Sequence, residues 1–237
     1  MRILEGKKLT KFFGGLAAVS EVDFDVDQGE IVGLIGPNGA GKTTLFNLIS
    51  GAIIPDSGAL EFKGRKLTGL KAHLVCRAGI ARTFQSVRIF PNMTVLGNVS
   101  LGGVFGNGMS SAAAAAAAEE LLAFVGLAGA ASTRAGELTL AHQKRLEVAR
   151  ALATKPEVML LDEVIAGLNL TEAGEVMDLI IRIRDKGITI LMIEHVMKAI
   201  MSICNRIIVL HHGEKIAEGS PAEITSNETV IKIYLGK

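Results

Sequence analysis

The stretch Gly36, Pro37, Asn38, Gly39, Ala40, Gly41, Lys42, Thr43, Thr44 constrains this chain more than any other. It has the spacing G-x-x-x-x-G-K-[ST], follows the continuous apolar run Glu30-Ile-Val-Gly-Leu-Ile35, and leads into the helical pattern Leu45-Phe-Asn-Leu-Ile49. A buried strand, a glycine-rich turn and a helix start in that order make an anion site, because the first helical turn leaves its backbone N–H groups unpaired. Those N–H groups cradle a β-phosphate, Lys42 supplies a cation to the β and γ oxygens, and the Thr43 hydroxyl is placed to ligate Mg²⁺. A guanine-reading N-K-x-D occurs nowhere in the chain, so the nucleotide expected is ATP.

A phosphate loop needs a carboxylate for its metal. Val158-Met-Leu-Leu-Asp-Glu163 puts Asp162 and Glu163 at the end of a buried apolar strand, the edge at which open α/β sheets bind ligands. Two adjacent carboxylates suggest divided labour: Asp162 orients the hydrated Mg²⁺, and Glu163 accepts a proton from an attacking water. His195 follows the apolar run Ile188 to Ile193 and should emerge at the same edge, within reach of a γ-phosphate or of the water and Glu163. Gln85 lies in Ala81-Arg-Thr-Phe-Gln-Ser-Val-Arg-Ile-Phe-Pro-Asn-Met93, where its amide could complete the Mg²⁺ shell; from the residues alone an ordinary exposed glutamine fits equally well. Gly136 to Arg150 reads as a helix capped by Thr139, and the cap alone leaves open whether an anion binds there.

The remaining sequence supports an α/β body. Residues 1–30 alternate with period two, as in Val22-Asp-Phe-Asp-Val26, which predicts antiparallel strands with one wet face. Leu60 to Gly64 reads as a further edge strand, making the first part a mixed sheet. From about Ala72 to Arg134 the texture is Ala-rich and helical, and the seven alanines Ala112 to Ala118 read as an exposed helix held by propensity without packing. Apolar runs at Val158–Leu161, Ile188–Ile193 and Arg206–Leu210, separated by helical segments such as Thr171–Lys186, imply a parallel sheet covered on both faces. The expected organisation is one domain over 1–237, with an inserted helical subdomain and the Thr139 segment inside about 72–150 and a helical appendage at about 221–237.

Charge and composition exclude other classes. A net charge of +1 with both signs interspersed, no Trp and one Tyr offer nucleic acid neither a basic face nor stacking platforms. No apolar run approaches the 18 or so residues of a membrane span, and neither a secretory signal nor a lipidation box is seen, so a cytoplasmic address is expected. Cys76 and Cys204 lack metal-ligand spacing and are expected to be packing residues.

Taken in order, the phosphate loop, Gln85, the Thr139 segment, Leu160-Leu-Asp-Glu163 and His195 resemble the ATPase subunit of an ABC transporter, and the resemblance spans essentially the whole chain. Within that superfamily Ala81 to Val95, Ala166-Gly-Leu-Asn169 and Ile233-Tyr-Leu-Gly236 are similar to the LivG-type ATPases of branched-chain amino-acid importers. The resemblance implies a phosphate-loop NTPase core with an N-terminal antiparallel β subdomain and an inserted helical subdomain. It also implies a dimer in which each ATP lies between one subunit's phosphate loop and the other's signature segment, normally L-S-G-G-Q. Phe13 would stack on adenine, with Phe12 a second candidate, and Thr139, Ala141 and His142 would face the partner's ATP. ATP binding would close the dimer and hydrolysis reset it, on the cytoplasmic face of the inner membrane. The implied partners are a second, non-identical ATPase subunit, two membrane permeases docking near Gln85 and, indirectly, a solute-binding protein. A different cargo (urea, short amides or an envelope lipid) and a regulatory nucleotide-binding subunit with weak hydrolysis are the alternatives.

Against L-S-G-G-Q the chain reads Leu138-Thr-Leu-Ala-His142. The Ala141 Cβ is expected to crowd a γ-phosphate where glycine usually stands, and His142 adds a titratable group. Val164 takes the place usual for Pro and Asn169 that of Asp, the latter a habit of the subfamily. The nucleotide site built on this chain's phosphate loop is therefore expected to hydrolyse, and the one using its signature segment to be weaker.

Overall fold

In the computed structural model, which describes residues 1–235, the alternating N-terminal sequence forms a hairpin. Strands β1 (Arg2–Phe13) and β2 (Leu16–Asp27) pair antiparallel, burying Leu4, Leu9, Val22, Phe24 and Val26 on one face while most of their neighbours stay wet. The chain then leaves this sheet through β3 (Ile31–Ile35) and α1 (Lys42–Ile49) before returning as β4 (Ser57–Phe62) and β5 (Arg65–Lys66). The four strands order as β2-β1-β4-β5, so two expectations change. Residues 57–62 lie inside the sheet, with two-residue β5 at the edge, and the first part is not one mixed sheet because β3 belongs to another.

That second sheet holds six strands in the order β10-β9-β3-β8-β7-β6, with β6 Ile80–Arg82, β7 Val158–Asp162, β8 Thr189–Ile193, β9 Arg206–His211 and β10 Glu214–Gly219. All pairings are parallel except β10 with β9, which makes the sheet mixed. Strands β3, β7 and β8 are buried along their whole length. Successive side chains enter different cores: Ile31, Leu161 and Met192 join α5 (Leu140–Leu152) and α6 (Leu170–Asp185) through Leu146 and Ile180, whereas Val32, Leu160 and Leu191 meet Phe46 of α1 and the first sheet. Each such side chain contributes about 1.5–3 kcal/mol relative to leaving it in water, which fixes the register.

Helix α2 (Ala72–Ala78) precedes β6, and α3 (Val95–Leu101) and α4 (Ser111–Phe124) follow it. The helical texture expected from Ala72 is thus interrupted by a strand of the parallel sheet. The alanine run also differs from expectation: Ala114 and Ala118 are buried with Leu122, a stripe at i, i+4, i+8 that faces the core, so α4 is packed on one side. Beyond β8, α7 (Met197–Ile203) leads to β9, and α8 (Pro221–Ser226) and α9 (Glu228–Leu235) form the tail. Gly236, the last residue of the Ile233-Tyr-Leu-Gly236 ending, lies outside the described residues, as does Lys237. Among the described residues no helix is long and apolar enough to cross a membrane. Cys204 is buried, and burial pushes its thiol pKa up to about 12, in keeping with a packing role.

Candidate functional site

The carboxyl ends of β3, β7 and β8 meet at one edge, and each delivers a part of the site. From Ile35 the chain turns through Gly36–Gly41 into α1. Gly41 has φ +100°, and a Cβ there would stand 2.3 Å from the Ala18 carbonyl oxygen; at Gly36 a Cβ would stand 2.2 Å from the Leu210 carbonyl oxygen. Both positions therefore require glycine. No acidic residue occupies the first turn of α1, which leaves its positive end free for an anion. Lys42 is 6% exposed, and its Nζ donates to the carbonyls of Gly36 at 2.7 Å and Pro37 at 2.9 Å. Burial lowers the Lys42 pKa, opposed by Glu163 and Asp162. Asn38, Gly39 and Thr43 are exposed along the loop, Pro37 and Thr44 are half-buried, and Ala40 is buried.

Asp162 ends β7 and is 1% exposed. Its Oδ2 accepts from an Arg82 guanidinium N–H at 2.9 Å, whereas Oδ1 is buried with no hydrogen-bond partner. Burial raises the Asp162 pKa against the hydrogen bond and charge of Arg82. An orphaned carboxylate oxygen beside a threonine-bearing phosphate loop suits a hard cation such as Mg²⁺. Arg82 also donates to Asn47 Oδ1 at 2.6 Å and Ser50 Oγ at 3.2 Å, tying the carboxylate to α1.

Glu163 has φ +52°, so the strand breaks immediately after Asp162 and the two carboxylates part company. Its N–H donates to the Ile193 carbonyl at 2.9 Å. His195 Nε2 lies 2.5 Å from Glu163 Oε1, and Gln85 Nε2 donates to the same oxygen at 3.1 Å. Glu163, His195 and Gln85 are therefore assembled as one cluster. Gln85, expected as a metal ligand, contacts the carboxylate through its amide nitrogen, which leaves its Oε1 for a metal.

Other expected site residues stand apart. Phe13 is 53% exposed at the end of β1, as is Phe12 at 48%, so neither is a strand-packing residue. Thr139 N-caps α5, its Oγ1 accepting from the His142 N–H at 3.4 Å, and His142 is exposed. Ala141 is 4% exposed. Its Cβ is directed into the chain's own packing by the phase of α5, and Leu140, 46% exposed, is the residue that protrudes.

Four charged residues of the site lie outside the sequence motifs: half-buried Arg82, and Lys144, Glu147 and Glu194, which are buried. Glu147 accepts from the N–H groups of Phe84 and Arg88 and so brackets the Gln85 segment. Glu194 Oε1 accepts from the Ile165 N–H at 2.7 Å, and its Oε2 is buried without a partner. Charges at buried spacings were the available signal: Lys144 and Glu147 share the buried side of α5 with Ala141 and Ala151, and Glu194 directly follows an apolar strand.

Burial raises the Glu194 pKa from 4.5 to about 7, against the Ile165 N–H and the Lys144 charge. Between those values the folded chain holds a proton that the unfolded chain has released. The resulting stabilisation is fully present below about pH 4.5 and lost as pH rises through about 7, a change of about 3 kcal/mol. Glu194→Gln should abolish this dependence, so its stability relative to wild type is expected to rise by up to about 3 kcal/mol between about pH 5 and pH 8. Urea midpoints at the two pH values check this; parallel pH profiles for the two proteins would refute it.

Comparison with known proteins matches residues 19–166 to a family model described as ABC transporter, and residues 214–237 to one described as branched-chain amino acid ATP-binding cassette transporter. The high-affinity branched-chain amino acid transport ATP-binding protein BraF of Pseudomonas aeruginosa is 40% identical, covering 99% of this chain and 98% of its own. The corresponding protein LivG of Salmonella typhimurium is 42% identical, covering 95% of this chain and 94% of its own. A crystal structure of a nucleotide-free ATP-binding cassette from an ABC transporter superposes with TM-score 0.92 at 31% identity over 100% of both chains. A dimeric cassette in a post-hydrolysis state with ADP and Pi superposes with TM-score 0.82 at 26% identity, covering 92% of this chain and 99% of that one.

Proposed function

The chain belongs to the family of ABC transporter ATPases, and from that premise we propose that it hydrolyses ATP to energise an importer of branched-chain amino acids. The observation that carries the catalytic part is the Glu163 carboxylate, held by His195 and Gln85 at the sheet edge that also bears the Lys42 loop. The cargo rests on the named activities of the BraF and LivG relatives and on the second family match, at 214–237.

In this reading residues 1–237 form one ATPase domain, with the helical insert and Thr139 segment within about 72–150 and the appendage at about 221–237. The N–H groups of Gly39 to Thr44 and the Lys42 ammonium hold the phosphates, and Phe13 offers its exposed ring to adenine. Thr43, Asp162 and Gln85 would hold Mg²⁺, whose chemistry is to neutralise charge on the β and γ oxygens. Glu163 accepts the proton of the attacking water, and His195 fixes the orientation of its carboxylate. Thr139, Ala141 and His142 would face the nucleotide of a second, non-identical ATPase subunit.

Two permeases would dock against the chain beside Gln85. A mainly apolar groove of about 520 Å³ lies there, lined by Ala72, Ile80, Phe84, Phe90, Phe105 and Arg150. Phe90 and Phe105 are exposed in it at 52% and 70%, an arrangement suited to receive an apolar helix. The protein would then sit peripherally on the cytoplasmic face of the membrane, served indirectly by a solute-binding protein. Purification of the native complex from membranes is expected to yield a second ATPase and two permeases with this chain. Recovery of the chain as a self-sufficient soluble ATPase without permeases would refute the importer reading.

A further inference from the structure

Lys144 lies on α5, five residues beyond the cap Thr139, and is 6% exposed. Its Nζ donates to the carbonyl of Glu163 at 2.7 Å and to that of Ala166 at 2.6 Å. Burying an ammonium is costly, and joining a helix to a loop does not by itself need a charge. The same short loop is also gripped by Glu194, at the end of β8, which takes the Ile165 N–H at 2.7 Å. A cation on two carbonyls and an anion on the N–H between them thus hold residues 163–166 from two different elements. Leu140, in the first turn of α5, stands beside the next residue of the chain, its Cδ2 3.3 Å from where a Cβ on Gly167 would be.

The loop so held begins with Glu163, whose φ of +52° aims its side chain away from the strand toward His195. We infer that Lys144 is a positioning residue that ties the helix start serving the partner's nucleotide to the backbone of this chain's own Glu163. When α5 moves onto a partner-bound ATP, its ammonium carries the Glu163 and Ala166 carbonyls with it. Hydrolysis at one site therefore depends on occupancy of the other. The inference rests on the dimeric ATPase reading proposed above.

The test uses the assembled transporter with wild-type chain, Lys144→Met and Lys144→Gln, measuring ATP turnover against ATP concentration and ATP affinity separately. Lys144→Met is expected to lower maximal turnover about tenfold through misplacement of Glu163, with ATP affinity within about twofold, and to bring the Hill coefficient from above one to about one. Lys144→Gln retains a donor for one carbonyl and is expected to fall between. A wild-type Hill coefficient of one, or a variant that loses turnover yet keeps the wild-type Hill coefficient, overturns the inference, as does unchanged turnover. Should Lys144→Met fail to assemble, wild-type behaviour of Lys144→Gln overturns it alone. ATP-dependent association of the chain carrying Glu163→Gln with its partner separates the two levels. Its absence refutes the dimeric reading itself, and the role of Lys144 falls with it; its presence with unaltered Lys144 variants refutes only that role.

Discussion

Replacing Glu163 by Gln is expected to lower ATP turnover about a thousandfold while leaving ATP affinity within about twofold. The amide is isosteric with the carboxylate, and its oxygen can still accept from His195 Nε2 and Gln85 Nε2, the two contacts that hold Glu163 Oε1. What it loses is the capacity to take a proton from water. The phosphate loop and Lys42 are untouched, so nucleotide still binds and the ATP-bound state accumulates. Steady-state phosphate release alongside fluorescent-nucleotide binding measures both. A loss below about tenfold would place water activation elsewhere, because a general base contributes about 10²–10⁴.

The second large effect concerns asymmetry between the two nucleotide sites. Lys42→Ala removes the cation from the β and γ oxygens and also leaves the Gly36 and Pro37 carbonyls without their buried donor. In the assembled transporter it should depress turnover by about a hundredfold or more, since such electrostatic contacts act where charge develops. The equivalent change in the partner ATPase should cost less than about tenfold. In the proposed dimer that second site would use this chain's Thr139 segment, in which Leu140 protrudes at 46% exposure and His142 stands where glutamine is usual. The protruding Leu140 and His142 join the Ala141 Cβ as the expected causes of that weakness. Equal losses from the two changes would refute the asymmetry.

The parts of this site that could be read from sequence are those encoded by contiguous residues. Gly36–Thr44 carries its own strand, turn and helix start, and strands buried on both faces announce themselves as apolar runs. Strand β6 could not be read, because three residues inside a helical texture carry no period, and β10 was hidden by the charged edge sequence Glu214-Lys-Ile-Ala-Glu-Gly219. A run of identical alanines cannot reveal which face is buried; the packing of Ala114 and Ala118 is decided by helix phase against α3. The buried charges were invisible for a different reason. Arg82 meets Asp162 across 80 positions, and Lys144 meets Glu163 across 19, so their partners exist only once the sheet and α5 are assembled. The contact of Gln85 with Glu163 likewise depends on the bracketing of its segment by Glu147, 59 residues from Arg88.

The most direct measurement is ATP turnover by the complex of this chain with its partner ATPase and permeases in liposomes, with solute-binding protein supplied loaded or empty. Leucine, isoleucine or valine on the binding protein is expected to stimulate turnover severalfold, and Glu163→Gln to abolish that stimulation. Stimulation by an unrelated solute with none from these three, or stimulated turnover that survives Glu163→Gln, would contradict an ATPase that powers branched-chain amino-acid import.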